Sequence, residues 1–322
     1  MGSGKRGGIG AVRHDEVKVK VKTEAEDSNQ GKKVIKEQSR PQAGSLRHML
    51  LVAPALAWLA GLVLAPLAII VAVSVATRGP YGKTVYDWTT SNFTHAFDPL
   101  YVHAYWRTLW IATSTTVLCA VVSFPVAYFI ALKVPDRWKR VLLVLTVIPF
   151  WTSFLIRTFA WILLLRSEGV INSVLMSTGI TAEPLKLLYS DFAVLVGQVY
   201  GELPFMILPL YVTLERLDTR LLEASQDLGA NRFWTFLKVT LPLSRPGLIA
   251  GIVLVFIPSL GAFVTPDLLG GAKSVMIGNL IQNQFSQLNQ PFGSALSLIL
   301  TGAVLLLLVL AFKMGLRSSE LT

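Results

Sequence analysis

The sequence predicts an all-α integral membrane protein with six transmembrane helices. Three observations carry that reading. Hydrophobic residues make up 53% of the chain and charged residues only 15%, against roughly 25% charged in soluble domains. Six apolar runs are long enough to span a bilayer, since a helix rises about 1.5 Å per residue and a hydrocarbon core is roughly 30 Å thick. The basic residues gather on one side of those runs.

The first 45 residues stand apart. They are rich in Gly, Lys and Glu and nearly free of large apolar side chains. Such a segment buries too little surface to offset its ordering entropy, so residues 1–45 read as a disordered basic tail and 46–322 as the six-span domain. The spans are Leu50–Val75, Thr108–Leu132, Val141–Leu165, Phe192–Leu214, Gly247–Thr265 and Phe292–Phe312. The first follows Arg47 directly and reads as an uncleaved signal-anchor. The fifth is the least uniform, with Pro258, Gly261 and Pro266 near one end. Pro54, Pro66, Pro125, Pro149, Pro204 and Pro209 lie inside others; membrane helices tolerate proline where neighbours satisfy the freed carbonyls, and kinks are the plain expectation.

Orientation follows from Lys and Arg, which are enriched in cytoplasmic loops. Six spans put the N-terminal tail, residues 133–140, residues 215–246 and the C-terminus on one side, and that side carries 22 of the 29 basic residues. Both termini and the 215–246 loop are therefore expected in the cytoplasm. The net charge of +10 follows this juxtamembrane clustering and does not call for nucleic acid. The first outer loop is aromatic-rich, from Tyr81 to Trp106, as an interfacial belt or a ligand surface would be. Asn92 opens an N-F-T sequon.

Catalytic chemistry has no footing here. Cys119 is the single cysteine, and His14, His48, His95 and His103 lack partners at metal-ligand spacing; no metal site is expected. GGAKS at Gly270–Ser274 is not a phosphate loop, because that pattern needs Gly where Asp267 and Ala272 stand. The chain is read as neither an enzyme nor a nucleotide binder.

The polar island Glu223–Pro242, EASQDLGANRFWTFLKVTLP, is the most specific feature. Asp218 is placed to cap a first short helix. Gly229 suits the left-handed position that ends it. Asn231 is placed to cap a second helix, in which Phe233, Phe236 and Leu237 share a face as a contact stripe. The result is a helical knuckle with a leading carboxylate, either docking on a partner or lying on the bilayer.

Three ionisable residues fall within the spans, where charge is costly and faces a cavity or a partner. Glu202 lies about ten residues into span four, roughly 15 Å deep. It either attracts a cationic substrate, with Tyr200, Phe205, Trp151 and Phe263 adding cation–π contacts, or is a protonated acid bonded to a neighbouring helix. Arg157 lies about 16 residues into a continuous span three, roughly 24 Å up and nearer the outer face, where it snorkels outward as an anchor. Asp267 marks the outer end of span five and either recruits cations or caps the turn.

The island resembles the E-A-A-x-x-x-G-x(9)-I-x-L-P loop of ABC-importer permeases. Glu223, Ala224, Gly229, Leu241 and Pro242 match it, Ser225 stands for the second Ala and Val239 for Ile. FWTSFLIRTFAW (Phe150–Trp161), GVIN (Gly169–Asn172), LPFMILPLY (Leu203–Tyr211) and FVTPDLLGG (Phe263–Gly271) look like spermidine/putrescine-type permeases. The resemblance covers nearly all of residues 46–315. It implies a type I importer permease fold, multi-pass in a bacterial inner membrane, with 215–246 as an ATPase-coupling loop. It also implies ABC ATPase subunits that carry ATP and Mg, a second permease subunit (homologous or identical), an external substrate-binding protein and polyamine substrates. Ala262 stands where that subgroup often carries an acid, and Glu202 where relatives often carry an uncharged residue. Other small polar solutes, a gradient-driven carrier or channel, and a non-transporting sensory subunit stay open.

Overall fold

The computed structural model describes the backbone of residues 44–319 and the side chains of residues 53–309 apart from 273. The expected tail lies outside the described residues except for its last two positions. The chain divides at Pro66 into two units.

The first helix, α1, runs Gly44–Ser74 through Pro54 and Pro66. It is the most apolar of the long helices, and its large side chains from Leu56 onward are mostly exposed. Residues 75–98 hold a two-residue antiparallel hairpin, with Thr77 opposite Val85 and Arg78 opposite Thr84, and a one-turn helix, Ser91–His95. The Asn92 amide donates to the carbonyls of Ser74 (2.9 Å) and Ala76 (2.8 Å), so the sequon asparagine is committed to closing this loop.

Next comes α2, Pro99–Leu132. It starts nine residues before the predicted span because Pro99, whose ring fixes φ, is well placed at a first helical position. The extra turns take up part of the aromatic loop: Tyr105 donates to the Leu296 carbonyl at 3.0 Å, and Tyr101 packs edge-on against Phe292. Tyr81, Tyr86, Trp88 and Trp106 stay exposed.

The predicted third span is not one helix. It is α3, Asp136–Val147, a 3-10 turn at Ile148–Trp151, then α4, Phe154–Leu165, and α5, Val170–Ser177. The two halves are bent by 89°. Pro149 has no N–H to donate and cannot continue the ladder, and Thr152 and Ser153 are extended, at ψ 146 and 134. Beyond α4 the buried Asn172 fixes the connection. It donates to Arg166 (3.0 Å) and Leu185 (2.9 Å) and accepts from the Leu185 N–H (2.9 Å).

The central helix is α6, Asp191–Glu215. The polar segment follows as α7, Arg220–Asp227, and α8, Arg232–Leu243. After a 67° bend comes α9, Arg245–Leu260. A π turn at Pro266–Gly270 leads to α10, Ile277–Ser286, and α11, Gln290–Ser319. Among the described residues four helices are thus long and apolar enough to span, and up to six spans result if each bent pair counts as one.

The core forms where α2, α6 and α9 pack together. Cys119, Phe124, Ala127 and Ile130 of α2 meet Met206, Leu210 and Leu214 of α6 and Val255 of α9. Close approach of α9 depends on a small-x-x-x-small stripe. A Cβ at Gly247 would lie 2.6 Å from the Pro209 carbonyl, and one at Gly251 would lie 2.4 Å from the Met206 sulfur.

Candidate functional site

Two regions concentrate the expected functional residues. The first is the knuckle formed by α7 and α8. The N-cap of α7 is Thr219, which makes no side-chain cap bond; Asp218, expected as the cap, lies one residue earlier and its carboxylate accepts from the Arg220 N–H at 3.0 Å. At its far end the Gly229 N–H donates to Gln226 (2.9 Å) and the Ala230 N–H to Ser225 (3.1 Å), the paired bonds of a Schellman motif. Gly229 has φ +87, and a Cβ there would meet nothing within 4 Å; its requirement is one of backbone conformation, not of space. Asn231 then caps α8, accepting from the Trp234 N–H at 2.9 Å. A hydroxyl pair, Ser225 and Thr235 at 2.8 Å, ties the two helices together, so the residue in place of the second Ala of the loop pattern forms a crosslink.

The predicted contact stripe is divided. A π turn occupies Phe236–Thr240, and its wider i→i+5 winding shifts the side-chain register. Phe236, the first residue of that turn, faces inward onto Phe124, with ring centroids 5.1 Å apart, and joins Leu241 against the core. Phe233 is 63% exposed, and Trp234 is exposed beneath the Lys238 ammonium, 4.9 Å away. Ala224 and Glu223 are also exposed. Glu223 lines a cleft of about 600 Å³ together with Lys133, Gln226, Arg232 and Thr235. Pro242 sits in the short final turn of α8 and is half-buried.

The second region lies where the break between α3 and α4 meets the middle of α6. The break overturns the expected depth of Arg157. The chain turns sharply just before it, so Arg157 lies on a helix whose first residue, Phe154, packs at Gly201 next to Glu202 in α6, and not on a straight continuation of α3. Its guanidinium carbon is 5.3 Å from the Phe150 ring centroid and 5.7 Å from that of Phe154. Phe150 in turn stacks edge-on against Phe205, three residues after Glu202, at 4.9 Å. Phe154 abuts Gly201, where a Cβ would be 4.0 Å from its ring. Arg157 Nε and Nη1 and Glu202 Oε2 are buried without hydrogen-bond partners among the described residues. An outward-snorkelling anchor would instead bring its donors to water or carbonyls.

Tyr200 belongs to this cluster, edge-on to Trp161 at 5.6 Å. Its carbonyl is freed as well, because Pro204 has no N–H to donate to the residue four positions back. Trp151 does not belong. It lies at the break, 81% exposed, and touches no other ring among the described residues. Phe263 is exposed in the unwound stretch after α9, its carbonyl held by the Asn279 amide at 2.7 Å. Asp267 lies inside the π turn and is exposed, so it is not the cap of that turn. Sequence reasoning missed Phe150, Phe154 and Trp161. Their signal was present: Phe154, Arg157, Thr158 and Trp161 follow helical spacing, but only once the helix is known to begin at 154.

At the end opposite the knuckle, Asp191 binds Arg107 at 3.2 Å and accepts from the Ser274 hydroxyl. These residues help line an open cleft of about 1360 Å³ with Arg166, Glu168 and Lys186.

Residues 123–315 match the family described as "Binding-protein-dependent transport system inner membrane component". The chain belongs to this family. It is 42% identical over 257 residues to the spermidine/putrescine transport system permease protein PotB of Haemophilus influenzae, covering 80% of this chain and 90% of that one. The Escherichia coli K12 protein of the same description is 39% identical over 257 residues, covering 80% and 93%. The inner membrane ABC transporter permease protein YdcU of Escherichia coli K12 is 34% identical over 240 residues, covering 70% and 75%. Among solved structures, a chain of a bacterial ABC transporter involved in import of the acidic polysaccharide alginate superposes with a TM-score of 0.68 at 17% identity, covering 85% of this chain and 96% of that one. The fold is that of a type I ABC-importer permease, and the protein is an inner-membrane component of a binding-protein-dependent transport system.

Proposed function

We infer that this permease is the membrane subunit of an ATP-driven importer for polyamines of the putrescine and spermidine type, working by alternating access. The observation that carries the substrate class is the buried acceptor site at the centre of α6. A carboxylate oxygen without a partner, a carbonyl freed by proline and a ring of aromatic faces together suit an ammonium group. The naming of the relatives at about 40% identity supports the same class.

The knuckle supports coupling to a separate ATPase. A lever must be stiff, and in α7–α8 Asp218 holds the first N–H of α7, a Schellman motif closes that helix, Asn231 caps α8 and the Ser225–Thr235 bond ties the two together. Its inner residues Phe236 and Leu241 are keyed into the α2–α6 core. Movement of Glu223, Ala224 and Phe233 by an ATPase would thus pass to the helices that carry Glu202. ATP and Mg belong on that partner, and this chain supplies no chemistry. A second permease subunit completes the path between two such chains. The charged cleft around Arg107, Arg166 and Lys186 lies at the opposite end, which suits the docking of an external binding protein. One neighbouring structure, a bacterial alginate ABC transporter, is described as a complex with its ligand-bound periplasmic protein.

The test is uptake of labelled putrescine and spermidine into vesicles containing this chain with its co-encoded ATPase, second permease and binding protein. Saturable uptake that requires both ATP and the binding protein is the expected result. An assembled complex with an active ATPase and no uptake rejects polyamines and keeps the importer class.

A further inference from the structure

The cation at the acceptor site needs its own explanation. A permease for polyamines has no evident use for a guanidinium beside its buried carboxylate, where it repels every incoming ammonium. Anchoring does not account for it, because Arg157 Nε and Nη1 reach no acceptor among the described residues. Solvation does not account for Nε and Nη1 either, since both are buried. The contacts that Arg157 does make are with two aromatic rings, Phe150 at 5.3 Å and Phe154 at 5.7 Å. Those rings meet α6 at positions on either side of Glu202 in sequence, Phe150 at Phe205 and Phe154 at Gly201.

We propose that Arg157 is a tethered stand-in for the cationic substrate: its guanidinium holds the Phe150 and Phe154 faces beside Glu202 until a substrate ammonium displaces it. This rests on the polyamine reading above and extends it to regulation of the same site. Two cations cannot share one pair of ring faces next to a single carboxylate, so entry of the ammonium and departure of the guanidinium are one exchange. The exchange is near balanced, because both cations are drawn by the same quadrupoles and the same acid. Its consequences are a site that never leaves Glu202 as an uncompensated buried charge, and a weak hold on the substrate, which suits release to the far side. The bend between α3 and α4 makes the device possible, since a straight third span would carry Arg157 away from Glu202. Departure has a natural route: Arg157 lies one turn from the extended residues Thr152 and Ser153, where the backbone is not held by a helical ladder.

The test compares Arg157→Gln and Arg157→Lys in the assembled permease–ATPase complex without the binding protein, measuring equilibrium binding of labelled spermidine. If the guanidinium fills the site about 70–90% of the time, apparent affinity is reduced by the free fraction, so Arg157→Gln should bind about three- to tenfold more tightly than wild type. Arg157→Lys keeps a competing cation and should bind within about twofold of wild type by the same argument. Equal or weaker binding by Arg157→Gln overturns the proposal, as expected of an arginine that contacts substrate or braces the fold. Co-elution of each variant with the ATPase excludes misassembly; if Arg157→Gln does not assemble, loss of tethering is read instead from Phe154→Leu, which should weaken binding less than Glu202→Gln does, and the opposite order overturns the proposal. The uptake experiment above separates the two levels. Wild-type uptake with no gain in Arg157→Gln rejects the stand-in alone, while absence of polyamine uptake in the wild type removes both.

Discussion

Glu202 and Asp267 are both acids at the edge of, or within, apolar runs, yet their surroundings differ. Glu202 has a buried carboxylate oxygen with no partner among the described residues, whereas Asp267 is exposed within a π turn. Hydrogen bonds to charged groups contribute about 1.5–3 kcal/mol, so loss of the Glu202 charge should cost roughly tenfold or more in cation uptake. Glu202→Gln is therefore expected to lower the uptake rate at limiting substrate about tenfold by that argument. Asp267→Asn should stay within about twofold, as for other exposed charges. Initial rates in vesicles decide this, and equal normal uptake in both variants would return Glu202 to a structural role. At this scale the sequence was legible in part. Glu202 was recognisable because a single acid in an apolar run is conspicuous. The place of Arg157 was not, because depth along a span was counted on a straight helix and Pro149 only marks a possible bend without giving its angle. The same cause keeps Trp151 outside the cluster: at a break, neighbouring residues no longer project at helical intervals.

At the scale of the element, the knuckle divides into a part that local chemistry dictates and a part that packing dictates. Asp218, Gly229 and Asn231 each act on backbone groups within four residues, so their roles could be read from the chain alone. The π turn at Phe236–Thr240 begins at Phe236 and leads into Leu241, both packed against the α2–α6 core, and periodicity does not announce it. Gly229 is where this element can be tested most sharply. Its Cβ space is open, so substitutions there act through φ alone. A non-glycine residue in the left-handed region costs about 1–2 kcal/mol, so Gly229→Ala should weaken ATP-driven uptake without abolishing it. Gly229→Pro fixes φ near −65° and removes the N–H donated to Gln226, which breaks the Schellman closure. The expected outcome is a normally inserted permease in which ATP hydrolysis no longer drives uptake. Normal coupled uptake by Gly229→Pro would show that the knuckle is no lever.

At the scale of the whole molecule, hydropathy located every apolar run but could not tell a span from a bent pair. The run at Val141–Leu165 is itself broken by an 89° bend, and the run at Gly247–Thr265 follows directly on a 67° bend between Leu243 and Arg245. Apolarity reports on solvent, whereas the bends come from prolines and extended residues whose effect depends on what packs around them. Orientation is a separate global property, and it rests on the bias of 22 of 29 basic residues. That bias predicts the knuckle in the cytoplasm and the Arg107–Asp191 cleft outside it. The chain offers a clean way to check, because its single cysteine, Cys119, is fully buried and a buried thiol reacts slowly with polar reagents. Gln226 and Glu168 are exposed residues at the two ends. A membrane-impermeant maleimide added to intact cells should label Glu168→Cys and spare Gln226→Cys, and opening the membrane should expose the second. Labelling of Gln226→Cys in intact cells would invert the molecule. The knuckle would then face away from any cytoplasmic ATPase, and coupling through α7 and α8 would fail on geometry alone, whatever the chemistry of Glu202.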